Sequence, residues 1–254
     1  MRLNINADLG EGHGAYDIGD DAALLDVVAS ANVACGFHAG DPTVMRRTLE
    51  AAKARGVSVG AHPGFPDLGG FGRRRIEMDP HELENAVAYQ IGALMALATL
   101  VGVEVTHVKA HGALSNMAAT RDDYAMAIGR AIRGVDPKLR YLALAGSAME
   151  RAAGELGLPL VREAFADRHY DDEGNLASRA LAGTVIRDPA EAAARVVAMA
   201  REGAIVAMSG RRLPVAFDSL CVHGDEPTAV AVARACRKAL EDAGVEIAPI
   251  PAFA

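Results

Sequence analysis

Along much of this chain, polar residues fall at every second position within short apolar segments. Asn4, Asn6 and Asp8 alternate with Ile5 and Ala7, and His107, Lys109 and His111 alternate with Val108 and Ala110. A period of two places each polar set on one face of a β-strand. The segments 32–38 and 58–62 are also strand-like and end in His38 and His62. Asp, His and Lys are rarely turned into a protein interior unless partners or a site require them. The alternation therefore predicts strands and, at their ends, a shared polar region.

The same reading predicts strands at 3–8, 31–36, 57–62, 105–110, 141–145, 160–164 and 218–223. Most are short and rich in Val, Leu, Ile and Ala, as in a parallel sheet covered on both faces. Segments 204–208 and 213–217 flank Ser209-Gly210-Arg211-Arg212 and are expected to form a hairpin leading into the last strand. Helices are expected at about 20–31, 41–55, 80–102, 121–133, 147–156, 189–202 and 226–243. Asp41-Pro42, Asp79-Pro80 and Asp188-Pro189 each set a capping carboxylate before a proline at the first helical position, and Glu82 and Glu191 stand at capping-box spacing. Gly56, Gly102, Gly203 and Gly244 mark helix ends. Seven strand–helix units, with no linker or repeat, predict a single α/β barrel domain over 1–254, with seven strands. An open doubly wound sheet is the alternative. Polar ends on at least five strands favour the barrel, in which all strand C-termini converge on one mouth.

Composition narrows the function. A net charge of −7 argues against a nucleic-acid surface, which needs a basic stripe. Arg73-Arg74-Arg75 is the only basic run, read as a solvated loop, with an anion or partner contact as the alternative. Cys35, Cys221 and Cys236 are too few and too scattered for a disulfide framework, which suits a reducing, cytoplasmic setting. A nucleophilic Cys35 is a minor reading. The first strand begins at Arg2, so no signal peptide is expected. Residues 86–103 carry no charge and border on membrane-span length, but are read as a helix buried by packing or by a subunit contact.

Several residues carry candidate chemistry. Asp8 is either a cap for the following loop or a general base or metal ligand at the mouth, with Asn6 below it. Glu11 lies in the Gly-rich turn Gly10-Glu11-Gly12-His13-Gly14, where backbone can approach a ligand; without a Rossmann context this is a weak phosphate signal. His38 and His62 with Asp8 would make a two-histidine, one-carboxylate site for a divalent metal. Their competing role is hydrogen bonding and proton transfer to a polar substrate. A lumen-facing Lys109 is costly without an anion, so it is the first choice for binding a carboxylate or phosphate-like group, with His111 beside it. His107 is read as packing deeper. Asp167 and Arg168 form either a structural ion pair or a mouth contact. His223 repeats the mouth pattern, and Asp225 either joins it or caps the next helix. No Gly-x-Ser-x-Gly, P-loop or kinase loop occurs, which argues against a serine hydrolase and an ordinary P-loop ATPase.

Taken together, Asn4 to Glu11, Ala34 to Asp41, Gly60 to Asp67, His107 to Leu114, Glu163 to Arg168 and Cys221 to Asp225 resemble the LamB/YcsF family, from about residue 2 to residue 250. The chain departs from the family pattern at His13, usually aromatic, at Ala110, usually Pro, and at Ser115, usually Tyr. The resemblance implies a seven-stranded barrel of the glycoside hydrolase/deacetylase type. It also implies ATP-dependent opening of 5-oxo-L-proline to L-glutamate, with ATP as co-substrate, in a complex with two further subunits. For that reaction Lys109 is expected to bind the anion, and Asp8 or Glu11 to serve as base or metal ligand. His38, His62 and His111 are expected to position groups or shuttle protons, and Asn6, Arg168 and His223 to contact substrate. Replacing Lys109 by Met is expected to abolish turnover and leave the fold intact. Two other functions stay open: a stand-alone metal-dependent deacetylase or amidohydrolase, and a non-catalytic lactam-binding subunit.

Overall fold

The computed structural model describes residues 1–179, 181–223 and 227–253. Its strands are β1 (Arg2–Leu9), β2 (Ser30–Ala34), β3 (Ser58–His62), β4 (Val105–Val108), β5 (Arg140–Leu144), β6 (Leu160–Phe165), β7 (Ala204–Val206), β8 (Arg212–Pro214), β9 (Ser219–Val222) and β10 (Glu246–Ile247). Strands β1 to β6 run parallel in chain order, β9 follows β6, and β9 pairs back onto β1, closing a seven-stranded barrel. The short β7 and β8 form an antiparallel hairpin, as the turn residues predict. Strand β10 adds to the start of β1.

The helices are α1 (Asp21–Leu25), α2 (Pro42–Ala54), α3 (Pro80–Val101), α4 (Gly112–Ala118), α5 (Asp122–Val135), α6 (Ala148–Leu156), α7 (Pro189–Glu202) and α8 (Ala229–Asp242). Three begin as their sequence dictates. Asp41 accepts from the amides of Thr43 and Val44, Asp79 from His81, and Asp188 from Ala190. α1 is much shorter than expected because the chain is claimed by the sheet: the Ala29 amide already donates to the Ile5 carbonyl, and Ser30 opens β2. α4 was not expected at all. α3 is long and apolar enough to cross a membrane, with a mean hydropathy of 1.2. It lies instead against α2 and α5, burying Leu83, Val87, Ile91, Leu94 and Ala98, while Tyr89 and Leu100 face outward.

The alternation sorts the strand side chains. Ile5, Ala7, Leu9, Val33, Val59 and Val108 belong to the apolar core. Each large one contributes roughly 1.5–3 kcal/mol by burial. The opposite set forms a polar lumen, where barrels usually pack Val, Ile and Leu. Asn4 donates to Ser30 Oγ at 2.8 Å and accepts from Ser219 Oγ at 2.6 Å. Asn6 donates to Ser219 Oγ at 2.8 Å and to Glu163 Oε1 at 2.9 Å. Asn32 donates to Asn6 Oδ1 at 2.7 Å, and His107 Nε2 lies 2.9 Å from Asn32 Oδ1. His107 is therefore a buried structural partner below the mouth, as its depth in β4 suggested. β4 stops at Val108, short of the predicted end, but the Lys109 amide still donates to the Ala61 carbonyl, so the alternation carries on to the mouth.

Candidate active site at the barrel mouth

Three loops and the end of β3 bring ionisable side chains together at the strand ends. Glu11 follows β1, His38 lies in the turn after β2, His62 ends β3, and His111 stands just before α4. One ligand-capable atom from each lies within 4.8 Å of the others, and all four residues are buried. Two glycines permit this. A Cβ on Gly64 would meet His38 Nδ1 at 2.6 Å, and one on Gly72 would meet His38 Cβ at 2.7 Å and His111 Cδ2 at 2.8 Å. The loop after β3 can lie directly on the imidazole rings only because these positions lack side chains.

Backbone carbonyls fix two tautomers. His62 Nδ1 is 2.7 Å from the Lys109 carbonyl oxygen, and His111 Nε2 is 2.9 Å from that of Phe71. A carbonyl only accepts, so each of these nitrogens carries the hydrogen. In the neutral rings His62 Nε2 and His111 Nδ1 are then both lone-pair atoms, yet they face each other at 3.0 Å. Asp8 Oδ2 lies 3.3 Å from His62 Nε2, and Glu11 Oε1 lies 3.4 Å from both His111 Nδ1 and His38 Nε2. His38 is fully buried and stacks on His111 with ring centroids 3.7 Å apart. Among the described residues, neither of its nitrogens finds a hydrogen-bond partner.

Acceptors thus converge on acceptors, an arrangement that needs positive charge between them. A proton is one solution. Burial, with the neighbouring histidines, holds His38 and His111 well below the usual imidazole range and disfavours it there. A divalent cation is the other, and three imidazoles with a carboxylate are a donor set that suits one. The group differs from the expected Asp8, His38 and His62: Glu11 and His111 join the two histidines, while Asp8 stands at the edge.

Asp8 is committed elsewhere. Its Oδ1 accepts from Lys109 Nζ at 2.9 Å and from Asn32 Nδ2 at 2.9 Å. Burial opposes its charge, but His62 and Lys109 outweigh burial and hold Asp8 well below the usual carboxylate range. Lys109 Nζ also lies 3.0 Å from Glu163 Oε1 and 2.9 Å from Cys221 Sγ. Asp8, Cys221 and Glu163 overcome the burial penalty and keep the ammonium charged. Lys109 therefore already answers two buried carboxylates. Glu163 opens the stretch 163–168 expected near the mouth but was not named as a site residue: it sits between apolar Val161 and Phe165 on the inward face of β6, and that period of two is the signal that marks it. Cys35 is inert, its thiol pushed up to about 12 by burial.

Above this layer opens a cavity of about 540 Å³, lined among others by Asp8, His62, Lys109, His111, Arg168 and His223. Glu11 and His38 lie behind its wall, and Asn6 lies below it. Asp167 does not hold Arg168. It holds His223, whose Nδ1 is 2.9 Å from Asp167 Oδ2 and whose ring stacks on Phe165. Burial works against the Asp167 charge, but His223 keeps the carboxyl below its usual range. Since a carboxylate only accepts, Nδ1 donates and Nε2 is left for the cavity. Asp225 lies outside the described residues.

The LamB/YcsF family model matches residues 3–254. The chain belongs to the LamB/YcsF family. It is 54% identical over 248 residues to the 5-oxoprolinase A-chain 2 of Bradyrhizobium diazoefficiens, covering 97% of each chain. A solved structure, the lactam utilization protein of Thermus thermophilus, superposes with a TM-score of 0.92 at 46% identity, over 98% of this chain and 99% of that one. The catalytic domain of a peptidoglycan N-acetylglucosamine deacetylase from Eubacterium rectale matches with a TM-score of 0.52 at 12% identity, over 97% and 87% of the two chains. That likeness concerns the fold alone, and agrees with the deacetylase-type barrel expected of a LamB/YcsF chain.

Proposed function

We propose that this chain is the A-type component of a cytoplasmic, ATP-dependent 5-oxoprolinase, opening 5-oxo-L-proline to L-glutamate together with two further subunits. The full-length similarity to a relative named as the A chain of 5-oxoprolinase is the observation that carries this reading. The mouth supplies matching chemistry. A lactam carbonyl is a poor electrophile, and phosphoryl transfer from ATP to its oxygen activates the ring carbon. Water then adds at that carbon, the C–N bond breaks, and the ring nitrogen takes up protons as an amine. The acyl phosphate so formed takes up a second water and yields glutamate and phosphate.

This sequence needs a group that accepts a proton from water and one that returns it to nitrogen; such positioned transfers contribute typically about 10²–10⁴-fold in rate. Glu11 and His111 serve the first role. Asp8, held ionised by Lys109 and His62, orients the attacking water, because a carboxylate so far below its usual range is a weak base. His223, aimed by Asp167, protonates the leaving nitrogen. Arg168 meets the substrate carboxylate, and Asn6 and His62 fix the frame around it. Alternatively, Glu11, His38, His62 and His111 would together hold a divalent metal; Glu11 and His111 would then be ligands and not proton acceptors, and the ion when bound would supply Lewis acidity and lower the pKa of water.

The decisive assay is glutamate release from 5-oxoproline and ATP, with and without the two partner subunits. Release only when all three chains are combined is expected; no release from the full set defeats the reading. The four-donor cluster favours one second reading, a metal-dependent amidohydrolase that acts alone. Amide hydrolysis by the isolated, metal-loaded chain without ATP would establish it.

A further inference from the structure

Of the side chains that α3 buries, Gln90 alone is polar, and it lies in the uncharged stretch 86–103. A buried amide is costly unless its polar atoms are met. Gln90 Oε1 accepts from the Gly64 amide at 2.9 Å. Its Nε2 donates to the Gly64 carbonyl at 3.0 Å and to the Ala86 carbonyl, one turn back on α3, at 3.0 Å. One side chain thus takes both backbone groups of a single loop residue and ties them to a helix.

Gly64 is a glycine that lies against His38. A Cβ there would stand 2.6 Å from Nδ1 and 3.0 Å from Cγ of the ring. A ligating histidine usually takes its orientation from a hydrogen bond at its other nitrogen. The His38 ring has no hydrogen-bond partner among the described residues, so packing alone sets its direction. His111 stacks on it, His62 and Phe71 stand edge-on with centroids 5.4 and 5.9 Å away, and Gly64 closes the Nδ1 side. α3 grips the other flank too: Tyr89, next to Gln90, packs on Phe37, the residue before His38, with centroids 5.6 Å apart.

We propose that Gln90 is a positioning residue: acting through Gly64, it fixes the His38 imidazole from α3 and thereby sets how tightly the mouth holds a divalent metal. The effect on affinity rests on the metal reading of Glu11, His38, His62 and His111; the effect on the ring does not.

Gln90→Met keeps the side chain's length and loses all three hydrogen bonds. Tyr124→Phe is the control. Tyr124 Oη accepts from the Met78 amide at 2.7 Å and donates to the Met78 carbonyl at 3.1 Å, a buried clasp of the same kind that does not touch Gly64. In NMR spectra of the chelator-treated full chain, the His38 ring signals and their through-space contact with His111 should change in Gln90→Met and persist in Tyr124→Phe. His38 signals alike in wild type and Gln90→Met overturn the positioning role. Gln90→Glu, which keeps the acceptor for the Gly64 amide, should fall between them, and carries the same test if the Met variant does not fold.

Calorimetric titration with Zn²⁺ reads the consequence. Affinity should fall about ten- to a hundredfold in Gln90→Met, as is typical when the support behind a ligand is lost, and stay near wild type in Tyr124→Phe. Gly64→Ala, whose Cβ would press on the ring, should weaken binding as well. Combined with Gln90→Met, its effect should fall short of the sum, because both act through one wall. Equal losses in Gln90→Met and Tyr124→Phe, or none in either, overturn the effect on affinity. No Zn²⁺ uptake by the wild type removes the metal reading, and the His38 spectrum still decides on Gln90.

Discussion

Near the start of the strands, Asn4, Ser30, Ser58 and Ser219 hydrogen-bond in a chain in which donors meet acceptors. Near the mouth, His62 and His111 turn lone pairs toward each other, and Asp8 and Glu11 bring carboxylate oxygens toward the same nitrogens. Both layers are polar, buried and built by the same alternation. The difference teaches that polarity inside a barrel is not by itself a sign of function. A network in which donors meet acceptors is a way of filling the lumen; one in which lone pairs face lone pairs is a place where something else is meant to bind.

Between the two layers sits Lys109, and removing it should do the most damage. Lys109→Met leaves Asp8 and Glu163 as buried carboxylates without a counter-charge, a change that typically costs about 3–5 kcal/mol. This revises the expectation of an intact fold. Urea denaturation should show the loss, and adding Glu163→Gln to the Met variant should recover part of it. Unchanged stability in Lys109→Met would mean that the two layers are not joined through this ammonium.

The mouth layer is sharpened by a metal titration. Zn²⁺ or Mn²⁺ at about a hundred times its dissociation constant should stabilise the chelator-treated protein by about 2.7 kcal/mol. His38→Ala and Glu11→Gln should abolish that gain, while Ser58→Ala keeps it. A gain surviving in the first two variants would place the ion elsewhere.

Acid probes the layer beneath. Burial, then Lys109, lowers His107 to about 3, against an ordinary value near 6.5. The unfolded chain therefore binds this proton first as pH falls. The contribution of His107 is complete above about pH 6.5 and is lost on the way down toward pH 3, at up to roughly 1.4 kcal/mol per unit. His107→Gln should flatten that part of the stability curve. The smallest effect belongs to the lower network: Ser58→Ala should cost about 0.5–1.5 kcal/mol and leave glutamate release unchanged.

Much of the mouth was legible because strand alternation is local: once Asn4, Asn6 and Asp8 are seen on one face, so are His107 and Lys109. The seven barrel strands follow for the same reason. What escaped was set by partners distant in sequence. Asp167 pairs naturally with its neighbour Arg168 when only the sequence is read, but the barrel brings His223 from the end of β9 to it. Glu163 carried no polar cluster around it, only the period of two within β6, and its partner Lys109 comes from a strand distant in sequence. α4 is short and opens on a glycine, which gives propensity little to register, and α1 yielded to the sheet ladder at Ala29.

The end of the chain gives the barrel a direction. The Ala248 carbonyl accepts from Asn4, the Ile250 amide donates to Ser30 Oγ, and Arg140 grips the carbonyls of Pro251 and Phe253. Ile250 packs with Leu142 and Val161 beneath the lumen. Among the described residues, 248–253 therefore plug the bottom of the well, which leaves the mouth as its way in. Whatever arrives, and whatever it becomes, must pass the same doorway in turn. The sealed underside is the natural place to tether the protein to a bead or chip without obstructing that exchange.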